Sequence, residues 1–265
     1  MSAVSSAAVL EQPSARNSES YPNPPLPRGV SAILLQHEFG IFGGTDGSHV
    51  LTLMRESRMP IITTLHTVLS EPSSHQREVF EEIVELSDRL GGMSQRSVDE
   101  LLHTYGVPQH KIAMIPHGIP DLPFVDPSFY KEQFGVEGRK VMLTFGLLSP
   151  AKGIEYAIEA LPEIVKRHPE LVYIVLGVTH PNVKKENGEE YRNRLHQKAE
   201  DLGVLDHVIF ENRYVDLDEL CEFLCAADIY LTPYLGPQQV VSGTLAYALG
   251  AGNAVISTPY SYAEE

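Results

Sequence analysis

The chain has 265 residues, of which 43% are hydrophobic and 21% are charged, an ordinary composition for a globular protein. Its formal net charge of −15 argues against nucleic-acid binding through a general basic surface. Its apolar runs fall short of the roughly 20 residues that cross a bilayer, and the N-terminus lacks the pattern of a signal peptide. We therefore expect a cytoplasmic protein without a transmembrane segment.

The first part of the chain alternates between low-complexity and strand-like composition. Residues 1–29 are rich in Ser, Ala and Pro, which predicts a disordered tail. Residues 31–36 read as an apolar strand covered on both faces. A loop with four glycines follows, ahead of a helix at 49–55. Glycine lets a backbone approach a ligand closely, so Gly43 and Gly44 mark a candidate ligand-binding loop.

The next strand, 60–65, ends at His66. A histidine at the carboxyl end of a parallel strand is well placed for chemistry, but a capping or core histidine is an equally good interpretation of position alone. The periodicity of apolar residues predicts a helix over 75–90, and Ser94 is placed to cap a second helix. A short strand at 111–115 completes an N-terminal domain over 30–125.

A linker is predicted at 126–139, followed by a C-terminal domain over 140–265. Strands and helices alternate through this domain, which predicts a parallel sheet with right-handed crossovers. The strands are at 141–145, 172–176, 208–210, 229–231 and 254–257, and the helices are at 154–168, 189–202, 218–226 and 243–250. Cys221 and Cys225 share a helix face. We interpret them as core residues of a protein from a reducing compartment.

The loop from Gly146 to Gly153 follows the first strand of this domain and precedes a helix. Its sequence, GLLSPAKG, fails the Walker pattern at Ala151 and Gly153, so a P-loop NTPase is not indicated. Lys152 nevertheless stands beside a helix N-terminus. Free amides, the helix dipole and a flexible cation together favour a diphosphate, whereas a lone lysine on a turn is ordinarily only solvated.

A second loop, between the strand at 229–231 and the helix that Ser242 caps, is polar but almost uncharged. Open α/β sheets bind ligands where strands end and helices begin. Amides, hydroxyls and a glutamine suit a polyhydroxylated ligand better than a metal ion.

The motifs together resemble those of retaining GT-B glycosyltransferases of family four. FGLLSPAKGIEYAIEAL is similar to the segment G-R-L-x-x-x-K-G, and YALGAGNAVIST is similar to E-A-M-A-x-G-x-P-V. The segments AADIYLTPY, TTLHT, MSQRSVDEL and IPHGI also resemble family patterns. The resemblance covers about 30–265 and implies an α/β fold with two Rossmann-like domains. The domain over 30–125 would be on the acceptor side, with Gly43 and Gly44 as a possible acceptor or phosphate loop, and the domain over 140–265 would bind the nucleotide sugar.

The resemblance also implies an activity: transfer of a sugar, with retention, from a nucleotide diphosphate sugar to a hydroxyl acceptor. His66 would be the catalytic histidine beside the transferred sugar, and Lys152 would bind the donor phosphate. The implied donor-binding residues are Gly146, Lys152, Gln239, Ser242, Gly243, Thr244 and Tyr247. No metal and no cofactor are expected. The implied partners are the nucleotide sugar and a sugar or lipid-linked acceptor. Peripheral contact with a membrane is compatible with a lipid-linked acceptor.

Three residues depart from the family pattern. Leu147 stands where the pattern has a phosphate-binding arginine, and Gln239 and Tyr247 stand where it has paired glutamates. Both domains also read as shorter than the family's at the two ends of the chain. These departures motivate an alternative, a non-catalytic or truncated nucleotide-sugar-binding relative that acts as a partner protein. A sugar phosphorylase ranks last because no cofactor-anchoring lysine pattern is present.

Overall fold

Two parallel β-sheets organise the part of the chain that the computed structural model describes, residues 31–122 and 126–265. The predicted α/β class with parallel sheets is confirmed. The predicted tail, 1–29, lies outside the described residues.

The first sheet has four parallel strands in the order β1-β2-β3-β4. The strands are β1 (Ile33–His37), β2 (Ile61–Leu65), β3 (Arg89–Gly92) and β4 (Ile112–Met114). The helices between them are α1 (Val50–Glu56), α2 (Ser74–Leu86) and α3 (Gln95–His103). As predicted, Ser94 caps α3, because its Oγ accepts a hydrogen bond from the Ser97 amide at 3.0 Å.

The prediction that one helix extends to Leu90 is wrong. Helix α2 ends at Leu86, and Leu90 is a fully buried residue of β3. The chain leaves the helix and enters β3 at Asp88, which is hydrogen-bonded to Ile61 of β2. The Asp88 amide donates to the Ile61 carbonyl at 2.8 Å, and the Asp88 carboxylate accepts from the Ile61 amide at 2.8 Å. Leu90 falls on the apolar period of the helix by coincidence, and the two glycines of β3 give no β-propensity signal.

The prediction that the first strand is covered on both faces is also wrong. In β1, Leu35 and His37 are buried, whereas Leu34 is 71% exposed. Helices α1 and α2 cover only the Leu35 face, through Val50 and Ile83. An apolar run therefore did not distinguish a strand covered on one face from a strand covered on two.

The second sheet has five parallel strands in the order β7-β6-β5-β8-β9. They are β5 (Lys140–Phe145), β6 (Leu171–Leu176), β7 (Val208–Glu211), β8 (Ile229–Thr232) and β9 (Ala254–Ser257). The helices of this part are α4 (Pro127–Gln133), α5 (Ile154–Val165), α6 (Pro181–Asn187), α7 (Glu190–Asp201), α8 (Leu217–Ala226), α9 (Gly243–Gly250) and α10 (Ser261–Glu264). All six residues of β6 are buried, as expected for a strand with helices on both faces.

The stretch predicted as a linker, 126–139, contains helix α4, which packs against α8 beside the second sheet. Lys131 of α4 forms an ion pair with Asp228 at 2.7 Å, and Phe134 stacks on Phe223 with ring centroids 3.9 Å apart. Asp126 caps the helix, with Pro127 in its first turn. Residues 126–139 therefore fold with the second sheet, although their Pro, Asp and Phe content resembled a connection.

The two cysteines lie on α8 as free, half-buried thiols, so they are less buried than core residues. They border a cavity of about 320 Å³ between α4 and α8. Burial raises the pKa of each thiol. In the described part of the chain, no helix is long and apolar enough to span a membrane.

The loop between β8 and α9 packs against the first part of the chain, residues 31–122, which contains the first sheet. Val240 is 6% exposed and packs among the buried residues Leu65 and Val68 of the first part. Ser70 Oγ donates a hydrogen bond to Gln238 Oε1. The Glu265 carboxylate accepts from the amides of the first turn of α3, at 2.7 and 2.8 Å. The contacts of Val240 and Gln238 place the β8–α9 loop directly against the end of β2.

Candidate functional site

The topology of the second sheet creates a crevice at the carboxyl ends of β5 and β8. Strand β5 comes first along the chain but lies in the middle of the sheet, so the chain runs outward on either side of the β5–β8 pair. Such a switch point is where open α/β sheets hold ligands. The loop 146–153 follows β5 and the loop 233–242 follows β8, so both predicted donor loops meet there.

Backbone contacts tie the two loops together. The Leu235 amide donates to the Ala151 carbonyl at 2.9 Å. Gly153 has φ of +62°, and a Cβ there would lie 2.1 Å from the Pro233 carbonyl oxygen. Only glycine fits this position. Gly146 faces the start of α9, because a Cβ at Gly146 would lie 3.5 Å from Thr244 Cγ2.

Side chains complete the connection through Tyr234. Lys152 Nζ lies 3.7 Å from the centroid of the Tyr234 ring, and Tyr234 Oη lies 2.8 Å from Thr244 Oγ1. Burial raises the pKa of Tyr234, but the Lys152 ammonium and the surrounding hydrogen bonds outweigh burial and lower it. Sequence reasoning did not select Tyr234. Its position two residues after β8 was the available signal.

The N-terminus of α9 presents free backbone donors at this crevice. Ser242 caps the helix, as predicted, by accepting from the Leu245 amide at 3.3 Å. Within the described residues, the amides of Gly243 and Thr244 have no hydrogen-bond acceptor. Two free amides at a positive helix end, together with the Lys152 ammonium, form a binding site suited to an anion.

His66 directly follows β2, in the first part of the chain. Its Nε2 lies 2.8 Å from Gln36 Oε1, and its amide donates to the His37 carbonyl at 3.0 Å. Burial lowers the pKa of His66; the Glu38 carboxylate opposes this shift and His117 adds to it. The imidazole is therefore neutral near pH 7 and able to accept a hydrogen bond.

Gln239 and Tyr247 have different surroundings from one another. Gln239 Nε2 donates to the Val241 carbonyl at 2.9 Å, so part of its amide is used within its own loop. Tyr247 is half-buried on α9, and its ring meets the His117 ring edge-to-face at 5.8 Å. Sequence reasoning named the IPHGI segment but did not select His117, which lies against Gly243.

Gly43 and Gly44 lie in the turn after β1. Both have positive φ, 70° and 71°, and their close neighbours are Ser48 and His49. Within residues 31–122 and 126–265, no three His, Cys, Asp or Glu side chains are arranged to hold a metal ion. That transfer requires no metal and no cofactor stays a prediction.

Comparison with solved structures identifies the fold. The chain is similar to HepE (Alr3699) of Anabaena, crystallised with UDP and glucose, with a TM-score of 0.65 and 20% identity. That match covers 87% of this chain and 60% of HepE. Sucrose-phosphate synthase of Thermosynechococcus elongatus matches with a TM-score of 0.66 and 18% identity, over 88% of this chain and 57% of that protein. The fold is thus the GT-B type seen in these glycosyltransferases.

Sequence comparison then gives the family. The model of the family described as glycosyl transferases group 1 matches residues 127–265, and the Glycosyltransferase Family 4 model matches residues 7–121. The chain belongs to the glycosyl transferases group 1 family, which confirms the resemblance found in its motifs.

Curated relatives align over part of their length. D-inositol 3-phosphate glycosyltransferase of Acidothermus cellulolyticus is 29% identical over 192 residues, which are 66% of this chain and 42% of that protein. A GDP-mannose-dependent phosphatidylinositol monomannoside mannosyltransferase of Mycolicibacterium smegmatis is 30% identical over 130 residues, 48% of this chain and 31% of that protein. The chain therefore spans less than half the length of these relatives.

Proposed function

We propose that this chain carries the donor site of a glycosyltransferase that moves a sugar, with retention, from a nucleotide diphosphate sugar to a hydroxyl acceptor. One observation carries the proposal: the Lys152 ammonium and the free amides of Gly243 and Thr244 are joined through Tyr234 at one sheet switch point. HepE, of similar fold, was crystallised with UDP and with UDP-glucose, which supports this donor class.

The chemistry of transfer fits this arrangement. When the bond between the sugar C1 and the diphosphate oxygen breaks, negative charge accumulates on the departing diphosphate. Lys152 and the two amides stabilise that charge in place, an electrostatic contribution that needs no protein nucleophile. The acceptor hydroxyl oxygen bonds to C1, and its proton passes to a diphosphate oxygen. Retention itself rests on the family resemblance found in the sequence.

His66 has a separate role in this proposal. A neutral imidazole at the end of β2 is suited to a hydrogen bond with a sugar or acceptor hydroxyl. We assign it to orientation of the transferred sugar or the acceptor. The acceptor is proposed to be a sugar or a lipid-linked sugar, and the reaction is proposed to need no cofactor and to occur in the cytoplasm.

The experiment is calorimetric titration of the chain with UDP, GDP, UDP-glucose and GDP-mannose, followed by a turnover assay on whichever binds. Binding with turnover supports the enzyme, and NMR of the product's anomeric configuration tests retention. Binding without turnover supports the non-catalytic relative, for which the uncharged Gln239 and Tyr247 are the motivating observation. No binding by any of the four at millimolar concentration contradicts the donor site.

A further inference from the structure

His117 is a residue of the first part of the chain, after β4, that reaches the start of α9. Its Nδ1 lies 2.7 Å from the Gly118 carbonyl oxygen. A carbonyl only accepts hydrogen bonds, so Nδ1 carries a proton. In the neutral ring Nε2 is then an unprotonated acceptor, and in the charged ring Nε2 becomes a second donor.

Nε2 points to the first residue of α9. A Cβ built on Gly243 would lie 2.7 Å from His117 Nε2, so glycine permits this approach. The ring also meets Tyr247 edge-to-face, one helical turn further along the same face of α9. His117 is half-buried, and it is close enough to His66 to lower the pKa of that residue. His117 thus lies beside the free amides of α9.

The site is short of positive charge for the ligand proposed. The diphosphate of a nucleotide sugar carries two negative charges. Residues 146–153 contain one basic residue, Lys152, and residues 233–244 contain none. Leu147 adds an apolar, 39% exposed side chain to the first of these loops. A second cation at the α9 N-terminus would balance the second charge.

We propose that His117, in its imidazolium form, donates a hydrogen bond from Nε2 to the diphosphate of the bound nucleotide sugar. His117 is then a donor-binding residue that the first part of the chain supplies to a site built on the second. No covalent step is involved, because the imidazolium takes its proton from solvent. This inference rests on the function proposed above and names a further residue of that site.

The competing interpretation is that His117 only packs the two parts together. The two interpretations differ in pH dependence, because an imidazolium strengthens anion binding only below its own pKa. The titratable groups facing His117 are Tyr247 on α9 and His66 after β2, with Glu38 beside His66. A variant at His66 is therefore needed to assign the pH dependence.

The test is calorimetric titration of the full chain with UDP-glucose and GDP-mannose between about pH 5.5 and about pH 8, the range in which an imidazole titrates. The diphosphate of these probes is doubly esterified and keeps its charge over that range. We compare the natural chain with His117→Asn and His117→Gln, with His66→Asn, and with His103→Gln. His103 is an exposed residue of α3 and serves as the matched control.

In the natural chain, affinity is expected to fall roughly tenfold across the range, as a charge-assisted hydrogen bond is lost. The Asn and Gln variants at position 117 should bind with nearly constant affinity, close to that of the natural chain at high pH. The His66→Asn and His103→Gln variants should show the same decrease in affinity with rising pH as the natural chain. The same pH dependence with and without His117, or no pH dependence in the natural chain, overturns this inference while leaving the donor site intact. No binding at any pH overturns both.

Discussion

Lys152 and Tyr234 form a cation–π contact, with Nζ 3.7 Å from the ring centroid. The two residues are 82 positions apart in sequence (234 − 152), but their loops follow the adjacent strands β5 and β8. The contact holds the ammonium of a flexible lysine over the Tyr234 ring. It also explains why Lys152 is more than a solvated side chain on a turn. Tyr234 continues the connection to Thr244, so one buried ring links the cation to the helix that holds the free amides.

The Tyr234 hydroxyl is the first target. Tyr234→Phe keeps the ring under Lys152 but removes the 2.8 Å contact with Thr244 Oγ1. We expect nucleoside diphosphate affinity to fall by about 0.5–1.5 kcal/mol, the range for one neutral hydrogen bond. A double-mutant cycle with Thr244→Val measures the coupling by calorimetry. Additive effects would show that the hydroxyls do not act together.

Gly153 is expected to be intolerant of any side chain. Gly153→Ala places a Cβ 2.1 Å from the Pro233 carbonyl and holds alanine at φ +62°. The strained backbone alone costs about 1–3 kcal/mol, and displacement of the β8 loop adds to this. Gly203→Ala is the matched control, since Gly203 has φ +66° with nothing within 4 Å of the added Cβ. Urea unfolding that gives equal losses for the two variants would contradict the close packing of the loops.

His66 separates binding from transfer. His66→Ala should abolish turnover while nucleotide affinity stays nearly unchanged, because we assign the imidazole to the transferred sugar or the acceptor and not to the nucleotide. NMR should show its titration midpoint below the ordinary value of 6.5. His117→Asn should raise that midpoint, since it removes a neighbouring cation. Unchanged turnover in the alanine variant would remove His66 from the mechanism.

His37 makes stability depend on pH. It is fully buried among aromatic rings, neither ring nitrogen has a hydrogen-bond partner within the described residues, and burial followed by His66 lowers its pKa to about 4. In the unfolded chain the His37 ring becomes protonated near pH 6.5, whereas in the folded chain it stays neutral until the pH falls to about 4. Stability contributed by the neutral ring is therefore complete above pH 6.5 and is lost as pH falls toward 4.

The loss through His37 amounts to about 3 kcal/mol, because its pKa falls from 6.5 to about 4 and each pKa unit corresponds to 1.36 kcal/mol. His37→Phe should remove most of this pH dependence in urea unfolding, while His103→Gln, at an exposed position, should leave it unchanged. An identical dependence in His37→Phe would assign the effect to other groups.

Particular residues show what the sequence could and could not predict. The caps at Ser94 and Ser242 and the strand–helix alternation were predictable, because they depend on local chemistry and periodicity. Strand β3 was not, since its glycines lack β-propensity and its exit from α2 depends on the pairing of Asp88 with Ile61. Tyr234 became visible only when the sheet order placed β5 beside β8, and His117 only when the fold placed the segment after β4 against α9.

The measurement that tests the central claim most directly is the affinity of the chain for UDP and GDP, compared with Lys152→Met. Methionine keeps an apolar contact with Tyr234 but removes the charge, and Lys185→Met, at an exposed position on α6, is the matched control. We predict that at least one nucleotide binds and that Lys152→Met weakens it by about 1.5–3 kcal/mol, the range for a charged hydrogen bond. The control should bind as the natural chain does. Absence of binding by both nucleotides, or equal affinity in Lys152→Met, would contradict the account.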